Sequence, residues 1–488
     1  MGHLAIDLGA NGGKAYVGRF DGGLTVDEVH RFDNRPVERG GRYVWDVEHL
    51  LSGIVRSIER ADARGAVETV GIDTWGVDFG LLADGSLLRA PTSYRDPAVT
   101  STRDEILDRL TRREIFEATG INHWNTPNTL WQYHHLVTRE RETFEAADRL
   151  LMTPQLLSVL LGGRPAGERT IASTTQMLDP RSGTWAEGLL DELDLPTGPL
   201  PAVEPAGATL GTLDPDIAGD TESTPELVST ASHDTAAAVA ALPFAGEGRL
   251  FLSTGTWFIP GVELDAPRID DRAFAAGASN ELGVDGSVRF LKNVTGFFLL
   301  EECREAWDGT GPLAYEELVA AAREAEPFGP LVDPDADRFD IEGEMPARIR
   351  AYCEATGQRP PGDRGELTRC IFESLATRTA LAVEELLDVA GVDADRLHLG
   401  GGGVRNDLFC ELLASAVGRP VFAGPADATA IGNVLTQAVA TGALDDVATG
   451  REYVREAFAP TEYEPGREAG WADAKSRMRD LLANPPES

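Results

Sequence analysis

Ser232-His233-Asp234-Thr235 sets two hydroxyls, an imidazole and a carboxylate directly before Ala236–Leu242, a run suited only to burial. Ser232 is a good N-cap, which places Asp234 and Thr235 in the first turn of a helix. A carboxylate there complements the macrodipole, so the cluster has a purely structural reading as a cap. It also has a chemical one, because a carboxylate fixed at a helix start can accept a proton from a hydroxyl. The stretch alone leaves both readings standing.

Three further stretches have the character of phosphate sites. Asp7 to Ala15 reads DLGANGGKA. It lacks the spacing of a P-loop, and a strand follows it instead of a helix. A glycine turn between two strands can still present consecutive N–H groups to phosphate oxygens, which makes Ala10, Asn11, Gly12, Gly13 and Lys14 candidates; the other reading is an ordinary hairpin. Asp7, at the end of the first strand, can hold a hydrated Mg²⁺. Ser253-Thr254-Gly255-Thr256-Trp257 is a second such turn, with Thr256 as its candidate. Gly400–Gly403 lead through Val404 and Arg405 to Asn406, between a strand and a helix N-terminus. That arrangement lets backbone approach a nucleotide closely, with Gly402 and Asn406 as its candidates.

The elements that must position these residues follow from the hydrophobic pattern. Residues 3–9 and 14–20 read as strands about the glycine turn, 24–33 as a third strand, and 47–61 as a helix after Asp46. Residues 66–82 read as a strand, a turn and a strand. Strand–turn–strand recurs at 248–264, and 397–418 read as a strand running into glycines and a long helix. The chain is an α/β protein of two similar lobes, an internal duplication with its boundary near residue 243. A length of 488 residues suits more than one core.

The bulk numbers exclude partners. Eighty acidic against 44 basic residues give a net charge of −36, which repels nucleic acid and anionic membranes. Only three residues are lysine: Lys14, Lys292 and Lys475. An acidic, lysine-poor chain is what a cytosolic protein of a halophile shows, since salt screens its self-repulsion. The N-terminus has no charged segment before an apolar core, so no signal peptide is expected, and no apolar run is long enough to span a membrane. Cysteines 303, 353, 370 and 410 have no metal-binding spacing. Cys353 and Cys370 flank a Gly/Pro-rich loop, where a disulfide or two reduced thiols are the alternatives.

Taken together, DLGANGGK, GIDTWGVDFGLL, YRD at 94–96, GINHWNTPNTLWQ, SHDTAAAV, STGTW, LKNVTG, DPDADRF and GGGVRND extend from residue 4 to about 435. In these motifs the sequence resembles the FGGY family of carbohydrate kinases, within the actin-like (ribonuclease H-like) ATPase fold. DTWGVDF with SHDTA and LKN resembles the branch acting on deoxy-ketoses. Asn11-Gly12 stand where Ser or Thr pairs are common and Lys14 where Arg is frequent; neither change removes a backbone donor. The resemblance implies two actin-like lobes with a cleft between them, residues 1–243 carrying sugar and base and 244–488 carrying nucleotide. It implies ATP and Mg²⁺, and transfer to O1 of a small ketose, L-rhamnulose first, with L-fuculose or xylulose as alternatives. It makes Asp234 the catalytic base, assigns His233 and Thr235 to the sugar, sets Asp234 with Asp7 at the metal, and adds Glu301 to the ATP contacts. Trp75 and Asp78 could stack on and hydrogen-bond the sugar beside the Gly80 backbone, the other reading being a buried strand. Asn293, beside Lys292, is expected on a sugar hydroxyl or on the nucleotide side, and Trp124 and Trp131 in the core. An actin-fold ATPase machine would need a peptide-binding domain or Fe–S cysteines; a sugar sensor would need no base. A monomer or homodimer is expected.

Overall fold

The glycine turn joins β1 (Gly2–Gly9) to β2 (Gly12–Phe20), paired antiparallel with Gly9 opposite Gly12 and Asp7 opposite Lys14. This is a computed structural model, describing residues 2–100, 102–124, 128–219, 221–308, 314–339, 343–466 and 469–486. β3 (Leu24–Asp33) extends the meander. α1 (Val47–Asp62) starts at Asp46, whose carboxylate accepts from the His49 backbone N–H at 3.2 Å. β4 (Val67–Thr74) returns parallel to β1, which sets Asp73 beside Asp7. With β5 (Ala208–Thr212) and β6 (Glu226–Ser229) the sheet order is β5-β6-β4-β1-β2-β3. Leu50, Ile54 and Ile58 of α1 bury against Leu4, Ile6, Val70 and Ile72 of this sheet, the apolar face that its helical spacing encodes.

α2 (Asp234–Ala240) is the helix expected after the Ser-His-Asp-Thr cluster, with one correction. His233, not Ser232, occupies the N-cap, and its side chain caps nothing. Ser232 is still part of the extended chain: its carbonyl accepts from Thr74 N–H at 2.9 Å, and its hydroxyl donates to the Thr230 carbonyl and accepts from Gln155.

The chain divides into two units, the first comprising Met1–Pro243, Glu263–Phe290 and Asp427–Ala459, the second Phe244–Val262, Leu291–Ala426 and Pro460–Ser488. The second is built on β7 (Leu250–Thr254) and β8 (Trp257–Leu264), α3 (Phe298–Asp308), the long buried α4 (Arg364–Ala390), β9 (Leu397–Gly401), α5 (Asp407–Val417) and β10 (Val421–Ala423). After α6 (Ala428–Ala440), β11 (Thr461–Tyr463) completes the order β8-β7-β9-β10-β11. Each sheet thus has a hairpin whose first strand takes a parallel partner on its far side, β1 with β4 and β7 with β9. That is the topological mark of the duplication. α6 belongs to the first unit and lies against α2. A Cβ on Gly432 would sit 1.8 Å from the Ala237 carbonyl oxygen, so the alanine run exists to let two helix backbones touch. All four cysteines are buried and free, so Cys353 and Cys370 carry no bridge.

Candidate active site

In the first unit, the ends of β1, β4 and α2 bring carboxylates together. Asp7 and Asp73 are register partners on adjacent parallel strands. Asp73 is fully buried; one oxygen accepts from Asn433 Nδ2 at 2.6 Å and the other has no hydrogen-bond partner among the described residues. Burial pushes its carboxyl well above the usual range, and the Asp7 charge adds to that. Burial likewise raises Asp7 to about 6; the Lys14 ammonium opposes the shift, and the Asp234 and Asp427 carboxylates reinforce it. Asp427 accepts from the Tyr16 hydroxyl at 3.0 Å. Lys14 is therefore the local counter-charge of an acidic cluster. The other two lysines serve elsewhere, pairing with Glu385 and Glu384 of α4, each at 2.6 Å.

Asp234 stands at the first position of α2 with about a third of its side chain exposed. Its Oδ1 accepts from Thr235 N–H at 2.5 Å and Thr235 Oγ1 at 3.1 Å, and lies 3.3 Å from His233 Nε2. The loop before it is fixed by Glu168, a fully buried carboxylate that accepts from the backbone N–H groups of Ser232, Thr170 and Ile171. His233 N–H donates to Thr170 Oγ1 at 3.2 Å.

The turn Ala10–Asn11 closes the β1–β2 hairpin, with Asn11 exposed and Gly12 half-buried. Gly13 is needed for packing, since a Cβ there would meet the Phe32 ring at 2.5 Å. In the second unit, Gly255 and Thr256 form the exposed turn of the β7–β8 hairpin. Their carbonyls accept from Phe297 and Gly296 N–H groups, which ties the turn to the start of α3. Gly401 has φ +87° and a Cβ there would meet the Thr254 carbonyl oxygen at 2.3 Å, so only glycine fits. Gly402 faces open space. Glu301 is exposed on α3 and paired with Arg304 at 2.8 Å. Asn293 is half-buried, and its amide makes no hydrogen bond among the described residues.

Three expectations are corrected. Asp78 is fully buried: Oδ2 accepts from Trp45 Nε1, Trp75 Nε1 and Tyr94 N–H, and Oδ1 from Gln132 Nε2. Neither oxygen reaches the surface. Trp75 is buried against Trp45, ring centroids 4.1 Å apart, and cannot stack on a ligand. Gly80 is buried, and a Cβ there would meet Leu156 at 2.4 Å; the residue lines a small cavity with Arg42, Arg89, His135 and Glu140. Asn406 is buried as the N-cap of α5, accepting from Phe409 N–H and donating to the Tyr315 hydroxyl, so it shapes the glycine turn instead of meeting adenosine. Trp124 and Trp131 are core residues as expected, while Asn125, Thr126 and Pro127 of the same motif lie outside the described residues.

Sequence reasoning missed Asp73, Glu168, Glu281 and Arg289. Asp73 had a signal, since Ile72-Asp73 repeats the Ile6-Asp7 strand ending. Arg289, in the apolar strand Val288–Leu291, is a charge where none belongs on a core face.

Two family models cover most of the chain: the N-terminal domain of the FGGY family of carbohydrate kinases matches residues 3–241 and its C-terminal domain residues 250–441. The chain is 40% identical over 483 residues to the rhamnulokinase of Bacteroides thetaiotaomicron, covering 98% of this chain and 99% of that one. It is 34% identical over 469 residues to the rhamnulokinase of Bacillus subtilis, covering 95% and 96%. Among solved structures it superposes on a xylulose kinase of Lactobacillus acidophilus (TM-score 0.77, 15% identity, 99% of each chain). It also superposes on the glycerol kinase of Plasmodium falciparum with ADP (TM-score 0.79, 14% identity, 99% of this chain and 97% of that). The fold is the actin-like one of sugar kinases.

Proposed function

The chain belongs to the FGGY family of carbohydrate kinases, which makes it a phosphotransferase acting on a sugar hydroxyl, and from that premise we propose that it transfers the γ-phosphoryl of ATP to O1 of L-rhamnulose. The observation that carries the reading is Asp234, a partly exposed carboxylate at a helix start with all its described hydrogen bonds on one oxygen. The choice of sugar follows the names of the relatives that share 34–40% of its residues.

In this reading Asp234 accepts the O1 proton as the phosphoryl transfers, a demand that comes late in a loose transition state. His233, Thr235 and Asn293 orient the sugar. Ala10–Lys14 of one hairpin and Thr256 of the other hold the phosphates, with Glu301 and Gly402 on the nucleoside side. The first unit carries the base, and the second carries Thr256, Glu301 and Gly402 for the nucleotide. Among the described residues no group of three or more acidic, His or Cys side chains stands ready to hold a metal unaided. Mg²⁺ asks for less, one or two carboxylates with phosphate oxygens and water for the rest. Asp7, with the unpartnered Asp73 oxygen beside it and Asp234 near, fits that demand. When bound there, Mg²⁺ would neutralise charge on the β- and γ-phosphates.

No described helix is long and apolar enough to cross a membrane. We read the protein as cytoplasmic, a monomer or homodimer without nucleic-acid or membrane partners, adapted to concentrated salt. ADP release assayed with L-rhamnulose, L-fuculose and D-xylulose tests the sugar. L-Rhamnulose is expected to give the highest kcat/KM and a 1-phosphate product; a tenfold preference for either competitor would overturn the assignment.

A further inference from the structure

Behind Asp234 lies a buried ion pair that the reaction as described does not use. Glu281 comes from the strand Ser279–Leu282 and Arg289 from Val288–Leu291, both in the first unit. Arg289 is completely buried; its Nη2 lies 3.0 Å from Glu281 Oε2 and 3.2 Å from His233 Nδ1. Glu281 Oε2 is 3.3 Å from the same Nδ1. On the opposite edge of the ring, Nε2 is 3.3 Å from Asp234 Oδ1. The side chains form one line from the buried pair through the imidazole to the carboxylate.

The chemistry of the donors orders this line. A guanidinium only donates. Nδ1 faces both the Arg289 donor and the Glu281 carboxylate, whereas Nε2 faces the Asp234 carboxylate, an acceptor that calls for a hydrogen on that edge. Arg289 also donates to the Leu282 carbonyl through Nε at 3.3 Å and Nη2 at 3.1 Å, which fixes the guanidinium to its own strand pair. Glu281 compensates the buried charge: burial works to raise its carboxyl, but Arg289 and His233 hold it down at about 2. At Asp234, the His233 contact and both Thr235 bonds converge on Oδ1. Oδ2 receives none of them.

We propose that Glu281 and Arg289 are positioning residues for phosphoryl transfer, fixing the His233 imidazole so that its Nε2–H holds Asp234 Oδ1 and presents Oδ2 as the proton-accepting oxygen. The proposal rests on the reading of Asp234 as the base. The pair is distant in sequence from the cluster it serves, and it reaches no reacting atom itself.

The test is a mutant cycle read by kcat and KM with L-rhamnulose and ATP. Glu281→Leu with Arg289→Met removes the pair without leaving a lone buried charge. Turnover is expected to fall about 10- to 100-fold, the cost of a misplaced reacting group, with KM for ATP unchanged within about twofold. In an Asp234→Asn background the same double replacement should cause no further loss, because the residues act as a unit. If the double replacement does not fold, Arg289→Lys enters the same cycle, keeping the charge without the planar fork. The ¹⁵N signals of His233, assigned by loss in His233→Gln, should show the proton on Nε2. Equal losses in both backgrounds, or a ring protonated on Nδ1 alone, would overturn the proposal. An Asp234→Asn enzyme with parental turnover would instead overturn the assignment of the base.

Discussion

Asp78 gathers four donors on two carboxylate oxygens, and burial lifts its pKa from 3.8 to about 6 against the opposing hydrogen bonds from Trp45, Gln132 and Trp75. A carboxyl raised on folding stabilises the native state while protonated. Its contribution is complete below pH 3.8 and is lost as pH rises through 6. The rise from 3.8 to about 6 corresponds to roughly 3 kcal/mol at most. Asp78→Asn keeps an acceptor for the two indoles and carries no charge; the Gln132 amide can flip to meet it. The Tm of wild type relative to Asp78→Asn is therefore expected to drop between pH 4 and 7. A difference that does not change with pH would contradict the buried-carboxylate account. The residue types Trp, Asp and Gly in one short motif suggested ligand contact, yet type alone does not reveal whether donors inside the fold already claim an oxygen. At Asp234 the sequence placed a carboxylate at a helix start, and the structure has it at the first position of α2. The Glu281–Arg289 pair was illegible, since its partner His233 is about fifty residues away and no local pattern links them.

At the scale of elements, the hairpin at 2–20, the helix after Asp46, the second hairpin and the strand into glycines were all legible. Each has punctuation with a physical reason: a two-residue turn between alternating runs, a capping carboxylate, glycines where a Cβ has no room. The glycine turn shows the limit. Four consecutive glycines predict close approach, but not to what. Gly401 is required by Thr254 and the left-handed backbone, and Gly402 by nothing in the protein. A ligand-facing glycine cannot be told from a packing glycine until the neighbouring strand is placed. The Ser232 cap was misplaced by one residue because the β-bridge of His233 to Thr74 holds the chain extended that far, a tertiary contact that outweighs capping preference.

For the whole molecule, the duplication was visible as a repeated strand–turn–strand, but one cut near residue 243 has no means of expressing that 263–290 and 427–459 return to the first unit. That return supplies Glu281, Arg289, Asp427 and Asn433, the residues that surround the carboxylates. The net charge of −36 belongs to this scale as well. Surface ion pairs contribute about 0–1 kcal/mol each and weaken in salt, but 36 acidic residues have no basic counterpart. The Debye length falls from about 30 Å at 0.01 M to about 3 Å at 1 M salt, so Tm should rise with KCl over that range. A Tm unchanged or falling across the series would contradict the proposed adaptation to salt.

In the proposed reaction Asp234 takes the proton from O1 of L-rhamnulose. Asp234→Asn preserves the shape and the acceptor oxygen for Thr235 but removes the base. Its steady-state turnover with L-rhamnulose and ATP, measured on protein whose Tm matches the parent, is expected to fall by about 10² to 10⁴, the range of a positioned acid–base group. Turnover close to the parent, or a loss of about 1 kcal/mol in stability with activity intact as for a mere helix cap, would contradict it.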